Sequence, residues 1–155
     1  MVTRIREAVT SDARAIEGFN RAMAWETERL ELDAARLKSG VEAVLTDRNK
    51  GFYLVAEADG VVIGQAMVTR EWSDWRNGTF WWIQSVYVAP EHRGRGVFGA
   101  LYRLIREMGE ADGGVCGIRL YVEHDNERAQ RVYEKLGMAA THYRLLEVDF
   151  VLRRR

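Results

Sequence analysis

The sequence predicts a mixed α/β fold, with a mostly antiparallel central sheet of about six to seven strands flanked by about four helices. Alternating and apolar segments follow one another through residues 52–88 with turn residues between them, which is typical of an antiparallel meander. An amphipathic segment then favours a helix, and an apolar segment at residues 118–122 favours another strand. Because a helix separates the strand at residues 79–88 from the one at residues 118–122, we expect these two strands to be parallel.

Composition and charge limit the class of protein. The 155 residues are 47% hydrophobic, which suits one domain with a real core, and we expect residues 1–155 to form it. Lys and Arg together number 23, as do Asp and Glu, so we expect no nucleic-acid partner. The three arginines at residues 153–155 are expected to form a solvated tail. The single Cys116 excludes an intramolecular disulfide, and no apolar run suits a signal peptide or a membrane span. A cytoplasmic protein without a membrane partner is therefore expected.

The first third of the chain predicts a strand and two helices. Residues 2–9 alternate in polarity and favour a strand. The residues TSD at 10–12 are N-cap types that open a helix to about residue 22. Asp33 is expected to cap a second helix that runs to about residue 45. The segment between these helices is predicted to be a connecting loop.

The meander that follows contains three predicted strands, at residues 52–58, 61–72 and 79–88. Asp59 and Gly60 form the two-residue turn that a tight hairpin prefers. The turn-rich segment SDWRNG separates the second strand from the third.

The segment VAPEHRGRGVFGAL, residues 88–101, has the composition of an anion-binding turn followed by a helix. Gly94 and Gly96 allow close approach of the backbone, and Arg93 and Arg95 add positive charge. The N–H groups of a helix's first turn favour a phosphate in front of them. The expected core side of this helix is an apolar stripe: Val97, Leu101, Leu104, Ile105 and Met108. The alternative is an ordinary turn, with glycines for its geometry and arginines for solubility.

The last part of the chain predicts a helix and a strand. Asp125 or Asn126 caps the helix, and Gly137 follows its end in the C′ position. Residues 144–152 favour a final strand.

Two of these segments resemble motifs of the GCN5-related N-acetyltransferase (GNAT) superfamily, which transfers an acetyl group from acetyl-CoA to an amine. Residues 85–102, SVYVAPEHRGRGVFGALY, resemble its strand and pyrophosphate loop. Residues 121–138, YVEHDNERAQRVYEKLGM, resemble its second CoA-contacting motif, with Asn, Ala, Tyr and Leu-Gly in order. Since the order of predicted elements also agrees over nearly the whole chain, the chain resembles a small single-domain bacterial-type member.

The resemblance implies a role for the strand and the loop. Backbone groups of Val86, Tyr87 and Val88 would bind the pantetheine arm, beside a bulge that splays this strand from its parallel neighbour. The pyrophosphate would lie among the loop residues Arg93, Gly94, Arg95, Gly96, Val97 and Phe98. The family commonly has Gly or Ala where this chain has Phe98, whose N–H can still donate.

The resemblance also implies that Asn126 contacts the pantetheine and that Tyr133 faces the thioester sulfur as general acid. No metal is implied. A tyrosine on an apolar helix face is otherwise an ordinary core residue.

The general base is left open by the sequence. Many relatives carry a Glu in the strand before the loop, where this chain has Gln84 and Ser85. The candidates are Glu123 and His124 after the next strand, Glu26 and Glu28 between the first two helices, or a chain of water molecules. The alternative is that these side chains are ordinary surface residues.

Aromatic and acidic residues suggest a small acceptor that is cationic or aromatic. The candidate acceptor residues are Trp25, Glu26, Glu28, Trp75 and Gln84. Alternation places Trp81 and Trp82 on opposite faces of their strand, so at most one can face an acceptor. The alternative is that the tryptophans are packing residues.

We therefore expect an N-acetyltransferase that moves an acetyl group from acetyl-CoA to a primary amine by direct attack in a ternary complex. The second hypothesis is a non-catalytic acyl-CoA-binding or interaction domain, which the missing strand carboxylate favours. Sheet edges and tryptophan-rich faces permit a homodimer.

Overall fold

A five-stranded sheet occupies the first part of the chain in the computed structural model, which describes residues 2–152. Its strands are β1 (Thr3–Glu7), β2 (Phe52–Ala58), β3 (Val61–Ser73), β4 (Gly78–Val88) and β5 (Val115–Leu120). They lie in the order β1-β2-β3-β4-β5, with three antiparallel pairs and a parallel pair of β4 with β5. The mixed, mostly antiparallel sheet is confirmed, although five strands within residues 2–152 replace the expected six to seven.

The expected number of helices is also confirmed among the described residues. They are α1 (Ala13–Glu28), α2 (Ala34–Thr46), α3 (Val97–Ala111) and α4 (Glu127–Lys135). Asp33 caps α2 as predicted, since its Oδ1 accepts a hydrogen bond of 2.7 Å from the backbone N–H of Arg36. Helix α1 is six residues longer than predicted, because no glycine or proline interrupts residues 22–28; it ends where Arg29 adopts a φ of 51°.

The chain divides into two compact units, Met1–Tyr121 and Val122–Arg155. The first unit contains the sheet and α1 to α3, and the second contains α4. The single domain expected from the sequence stays a prediction. None of the helices described in residues 2–152 is long and apolar enough to cross a membrane.

The sheet of the first unit is packed on both faces. On one face, Tyr53 and Val55 of β2 pack with Ile16 of α1 and Val41 of α2 in a buried cluster. On the other face, the ring of Trp81 in β4 packs against Gly109 of α3. A Cβ added at Gly109 would lie 3.5 Å from this ring. Alternation along the strands produces these two faces, as the sequence predicted for Trp81 and Trp82.

The hairpin predictions are accurate at their turns. Asp59 and Gly60 both have positive φ, 51° and 78°, as a tight two-residue hairpin requires.

Strand β5 begins at Val115, three residues before the predicted start, and ends at Leu120, because its pairing with β4 sets its limits.

The predicted strand at residues 144–152 is wrong: no strand is found among residues 121–152. Alternation marks a segment that could bury one face, but a strand forms only when another strand accepts its hydrogen bonds. Here Asp149 Oδ1 instead accepts hydrogen bonds of 2.7 Å from the backbone N–H groups of Val151 and Leu152, which turns the chain locally. The predicted solvated tail at residues 153–155 lies outside the described residues.

Helix α4 has the predicted ends. Asn126 is its N-cap and accepts a hydrogen bond of 3.1 Å from the backbone N–H of Ala129. Gly137 follows with a φ of 91°.

Candidate functional site

The second half of β4 is paired on one edge only in the part of the chain that the structure describes. The parallel pairing of β4 with β5 runs from Thr79 opposite Val115 to Ile83 opposite Leu120 and then ends. Residues 84–88 of β4 continue to pair with β3 alone. Backbone N–H and C=O groups on the other edge of this half are therefore available to an extended ligand.

A β-bulge lies in this same half of β4. Gln65 of β3 pairs with Tyr87, whereas Met67 pairs with Gln84, so β4 has one residue more than β3 over this interval. Ser85, within the bulge, has a φ of 50°, which is unusual for a residue with a side chain. Its carbonyl oxygen accepts a hydrogen bond of 3.0 Å from Nε2 of Gln65.

A turn with two glycines joins β4 to α3. Gly94 and Gly96 have φ values of 75° and 77°, in the region that favours glycine. Helix α3 begins at Val97 directly after Gly96, which is its N-cap. The first-turn amides of an α-helix have no acceptor within the helix, so this turn has the geometry of an anion site. The predicted turn is confirmed as a conformation; the pyrophosphate stays a prediction.

The side chain of Arg93 is fixed by two contacts with other parts of the protein. Its Nη2 lies 2.9 Å from Oε2 of Glu26 on α1, and its Nε donates a hydrogen bond of 2.8 Å to the carbonyl of Val88. The hydroxyl of Tyr87 donates a hydrogen bond of 2.7 Å to the other oxygen of Glu26. The sequence placed Glu26 in a loop with the acceptor residues, whereas the structure places it on α1 against the turn before α3.

These contacts set the protonation of the two acidic groups. The hydrogen bond from Tyr87, followed by that from Arg93, holds the pKa of Glu26 below its usual value. Burial, followed by the hydrogen bond to the Glu26 carboxylate, raises the pKa of Tyr87. Glu26 is therefore ionised at neutral pH and is a weak base.

Both arginines of the turn are exposed, but Arg95 differs from Arg93 in having no carboxylate within ion-pair distance among residues 2–152. Within the described residues it is thus the arginine of the turn whose charge is not engaged in an ion pair. Phe98, the departure from the family motif, has its ring 6.3 Å from that of Tyr102, one turn later on α3. The larger side chain is thus accommodated along the helix.

The face of β4 that carries Gln84 also carries a stacked aromatic pair. Gln84 Nε2 donates a hydrogen bond of 2.6 Å to Oγ1 of Thr69, which fixes the orientation of its amide. The rings of Trp82 and Tyr121 stack with 4.4 Å between their centroids. Trp82 is half-buried and Tyr121 is exposed, so this pair presents an aromatic surface.

The other predicted acceptor residues lie in two places. Trp25 and Glu28 are exposed on the last turns of α1, where the guanidinium of Arg29 lies 5.4 Å from the Trp25 ring centroid. Trp75 is exposed in the turn before β4, at the opposite end of that strand from Val88. The structure therefore does not bring Trp75 together with the turn that precedes α3.

The second unit contains the remaining predicted residues. The side-chain oxygen of Asn126 is used to cap α4. Burial raises the pKa of Tyr133, so its hydroxyl keeps its proton at neutral pH. Glu123 and His124 are exposed, and their backbone carbonyls accept hydrogen bonds from Nε2 of Gln130.

Sequence reasoning missed two buried residues beside the bulge, Gln65 and Asn20. Gln65 Nε2 lies 3.3 Å from Oδ1 of Asn20 on α1. The available signal was a glutamine between apolar residues in a central strand, which is unusual unless its amide has partners. The described residues show no group of three or more His, Cys, Asp or Glu side chains suited to a metal ion, and the absence of a metal stays a prediction.

Comparison with known proteins shows which proteins this chain is similar to. The family model for the acetyltransferase (GNAT) family matches residues 7–138. A thialysine N-epsilon-acetyltransferase of Bos taurus is 32% identical over 145 residues, which cover 86% of this chain and 82% of that protein. The solved structure of "a possible acetyltransferase" from Clostridium difficile 630 is 43% identical, with a TM-score of 0.88 over 98% of this chain and 100% of that one.

A mycothiol acetyltransferase of Corynebacterium aurimucosum is 30% identical over 132 residues. The match covers 83% of this chain but 43% of that protein, so the chain spans less than half the length of this relative.

Proposed function

The chain belongs to the acetyltransferase (GNAT) family, and from this premise we propose that it transfers an acetyl group from acetyl-CoA to a primary amine of a small acceptor. The observation that carries the proposal is the half-paired end of β4 leading into the Gly94–Gly96 turn and the start of α3. An extended arm and a diphosphate, joined in one molecule, match these two features in this order.

The donor is proposed to bind through backbone groups of the first unit. Val86, Tyr87 and Val88 would pair with the pantetheine arm, and the turn from Arg93 to Phe98 would surround the pyrophosphate. Arg95, which has no ion pair within residues 2–152, supplies positive charge to the ligand, whereas Arg93 keeps the turn in place through Val88 and Glu26. Asn126 is proposed as a further pantetheine contact, on the strength of the motif alone.

Direct attack requires a neutral amine and a protonated leaving group. The amine nitrogen forms a bond to the acyl carbon, the carbon–sulfur bond breaks, and the departing thiolate takes a proton. We assign that proton to Tyr133, whose raised pKa keeps its hydroxyl protonated at neutral pH. The proton that the nitrogen loses as the amide forms then restores the Tyr133 hydroxyl.

The proton of the ammonium form must leave before attack. Glu26 is poorly suited as the base, since Tyr87 and Arg93 already stabilise its carboxylate. Glu28, Glu123 and His124 are the side chains proposed for this role, with a water chain as the route if none of them serves.

The acceptor is proposed to be a small cationic or aromatic amine. Exposed Trp25 and Glu28 on α1 support it by cation–π attraction and charge, and Gln84 adds a fixed amide. One relative is named a thialysine N-epsilon-acetyltransferase, so lysine-like ω-amines belong in the acceptor panel.

Release of the CoA thiol tests the proposal. The protein is mixed with acetyl-CoA, with and without each primary amine of the panel, and free thiol is measured. We expect release that depends on the amine for at least one member. If the panel yields only neutral or acidic acceptors, the proposed acceptor class is wrong.

A non-catalytic acyl-CoA-binding domain is the second candidate. Gln84 and Ser85 stand where a strand carboxylate would serve as base, and neither is a base at neutral pH. Binding of CoA without thiol release for any amine would favour this candidate. A cytoplasmic location and a homodimer stay predictions.

A further inference from the structure

Gln65 is a polar side chain in the middle of the packed sheet. It is fully buried, with 0% of its surface exposed, and Gly64 and Ala66 on either side of it in β3 are also buried. A buried amide costs free energy unless it is hydrogen-bonded, so an apolar residue would be the ordinary choice here. Its Oε1 has no hydrogen-bond partner among the described residues. The hydrogen bonds of this side chain are therefore those of its nitrogen, Nε2.

The nitrogen of Gln65 joins the bulge of β4 to helix α1. It donates to the carbonyl of Ser85 at 3.0 Å and to Oδ1 of Asn20 at 3.3 Å. The Asn20 side chain is buried as well, with 6% of its surface exposed. The Ser85 carbonyl belongs to the bulge, where the regular pairing of β3 with β4 is interrupted. Gln65 therefore gives this carbonyl a partner inside the protein.

Ser85 needs such a partner because its backbone is strained. Its φ of 50° is the left-handed region, which residues with a side chain occupy only when their surroundings determine it. A glycine would occupy the same region without strain. The sequence has serine, so the conformation depends on contacts, and the hydrogen bond from Gln65 to its carbonyl is such a contact.

We propose that Gln65 is a positioning residue, which holds the bulge at Ser85 so that the half-paired end of β4 can bind the acyl donor. The inference rests on the proposed function, since it concerns the donor strand. Gln65 does not touch the reacting atoms in this scheme. Its amide maintains the extra residue of β4, which sets the direction in which the backbone groups of residues 86–88 point.

Substitution of Gln65 by methionine removes the amide and keeps nearly the same volume. We expect Gln65→Met to raise the Kd for CoA, and the KM for acetyl-CoA, on the order of tenfold, as for the loss of one buried hydrogen bond. Calorimetric titration with CoA gives the Kd, and steady-state kinetics separates KM from kcat.

Two further variants distinguish positioning from general destabilisation. Ser85→Gly in the Gln65→Met background should restore most of the lost CoA affinity, because glycine needs no support at positive φ. Asp12→Asn removes the ion pair of another buried residue, at the start of α1, and should lower stability while leaving CoA affinity unchanged. Thermal unfolding of each variant records the loss of stability.

The outcomes separate the two proposals. Wild-type affinity in Gln65→Met overturns the positioning role while the proposed function stands. An equal loss of affinity in Asp12→Asn, or no recovery with Ser85→Gly, also overturns it, since the effect is then one of stability. If the wild-type chain binds no CoA, the proposed function and this inference are both wrong.

Discussion

Glu26 on α1 and Arg93 before α3 form an ion pair of 2.9 Å, although 67 positions separate them in the chain. Tyr87 donates its hydroxyl to the same carboxylate. The pair connects the end of α1 to the glycine turn, so a carboxylate that the sequence suggested for the acceptor is engaged beside the turn that we propose for the donor.

The first prediction concerns the pH dependence that follows from this pair. The pKa of Glu26 is lowered, so the group is fully ionised above its ordinary value of about 4.5 and does not titrate in the neutral range. We expect Glu26→Gln to leave any limb of the kcat/KM profile between about pH 6 and 9 in place. Glu28→Gln, which replaces one of the proposed bases on the same helix, is the matched comparison. Loss of a neutral limb in Glu26→Gln would mean that Glu26 is the base after all.

Gly96 provides a test of the turn. A valine there would be strained at a φ of 77° by about 1–2 kcal/mol, although its Cβ would meet no atom within 4 Å. We expect Gly96→Val to weaken CoA binding at least about tenfold, because the turn must change its backbone to relieve the strain. Titration with CoA measures the effect.

Gly99 is the control for that substitution, since it lies within α3 and a Cβ there would have ordinary contact, 3.4 Å from Nη1 of Arg103. Gly99→Ala should retain CoA affinity and gain slightly in helix stability. Retained affinity in Gly96→Val would count against the turn as an anion site.

Tyr133 is tested by removal of its hydroxyl. Tyr133→Phe should lower kcat by about tenfold or more and leave the Kd for CoA nearly unchanged, since the proton donor is lost and the donor contacts are kept. Tyr143→Phe, at an exposed tyrosine of the same unit, should change neither quantity. An unchanged kcat in Tyr133→Phe removes this residue as the acid.

Asp12 contributes stability that depends on pH. It accepts hydrogen bonds from the guanidinium of Arg6 at 2.8 and 2.9 Å and from the backbone N–H of Val9 at 2.8 Å. The Arg6 contact, opposed by burial, lowers the pKa of Asp12. The folded-state pKa is thus below the unfolded value of about 3.8, so this stabilisation is complete above that value and is lost as the pH falls through the folded pKa.

Asp12→Asn should therefore cost about 2 kcal/mol of unfolding free energy at pH 7 and progressively less in acid. Urea unfolding at several pH values measures it. Asp47→Asn breaks the exposed contact with Lys50 and should cost much less. A difference between wild type and Asp12→Asn that stays constant down to pH 2 would refute the assignment.

Local patterns predicted what local physics determines. Backbone geometry within a few residues determines the features that were predicted correctly: the caps at Asp33 and Asn126, the Asp59–Gly60 turn and the glycines before α3. The contacts of Glu26 with Arg93 and of Gln65 with Ser85 join distant positions, and no periodicity in one segment specifies them. The strand expected at residues 144–152 failed for the related reason that alternation does not supply a pairing partner.

Transfer of a labelled acetyl group is the most direct test of whether this chain acetylates a primary amine with acetyl-CoA. The protein is incubated with acetyl-CoA labelled with carbon-13 in the acetyl group and with the panel of primary amines, and the products are identified by mass spectrometry. We predict a labelled N-acetyl amide for at least one amine, with one CoA thiol released for each amide formed. Binding of CoA with no labelled amide from any amine, or release of labelled acetate alone, would contradict the claim.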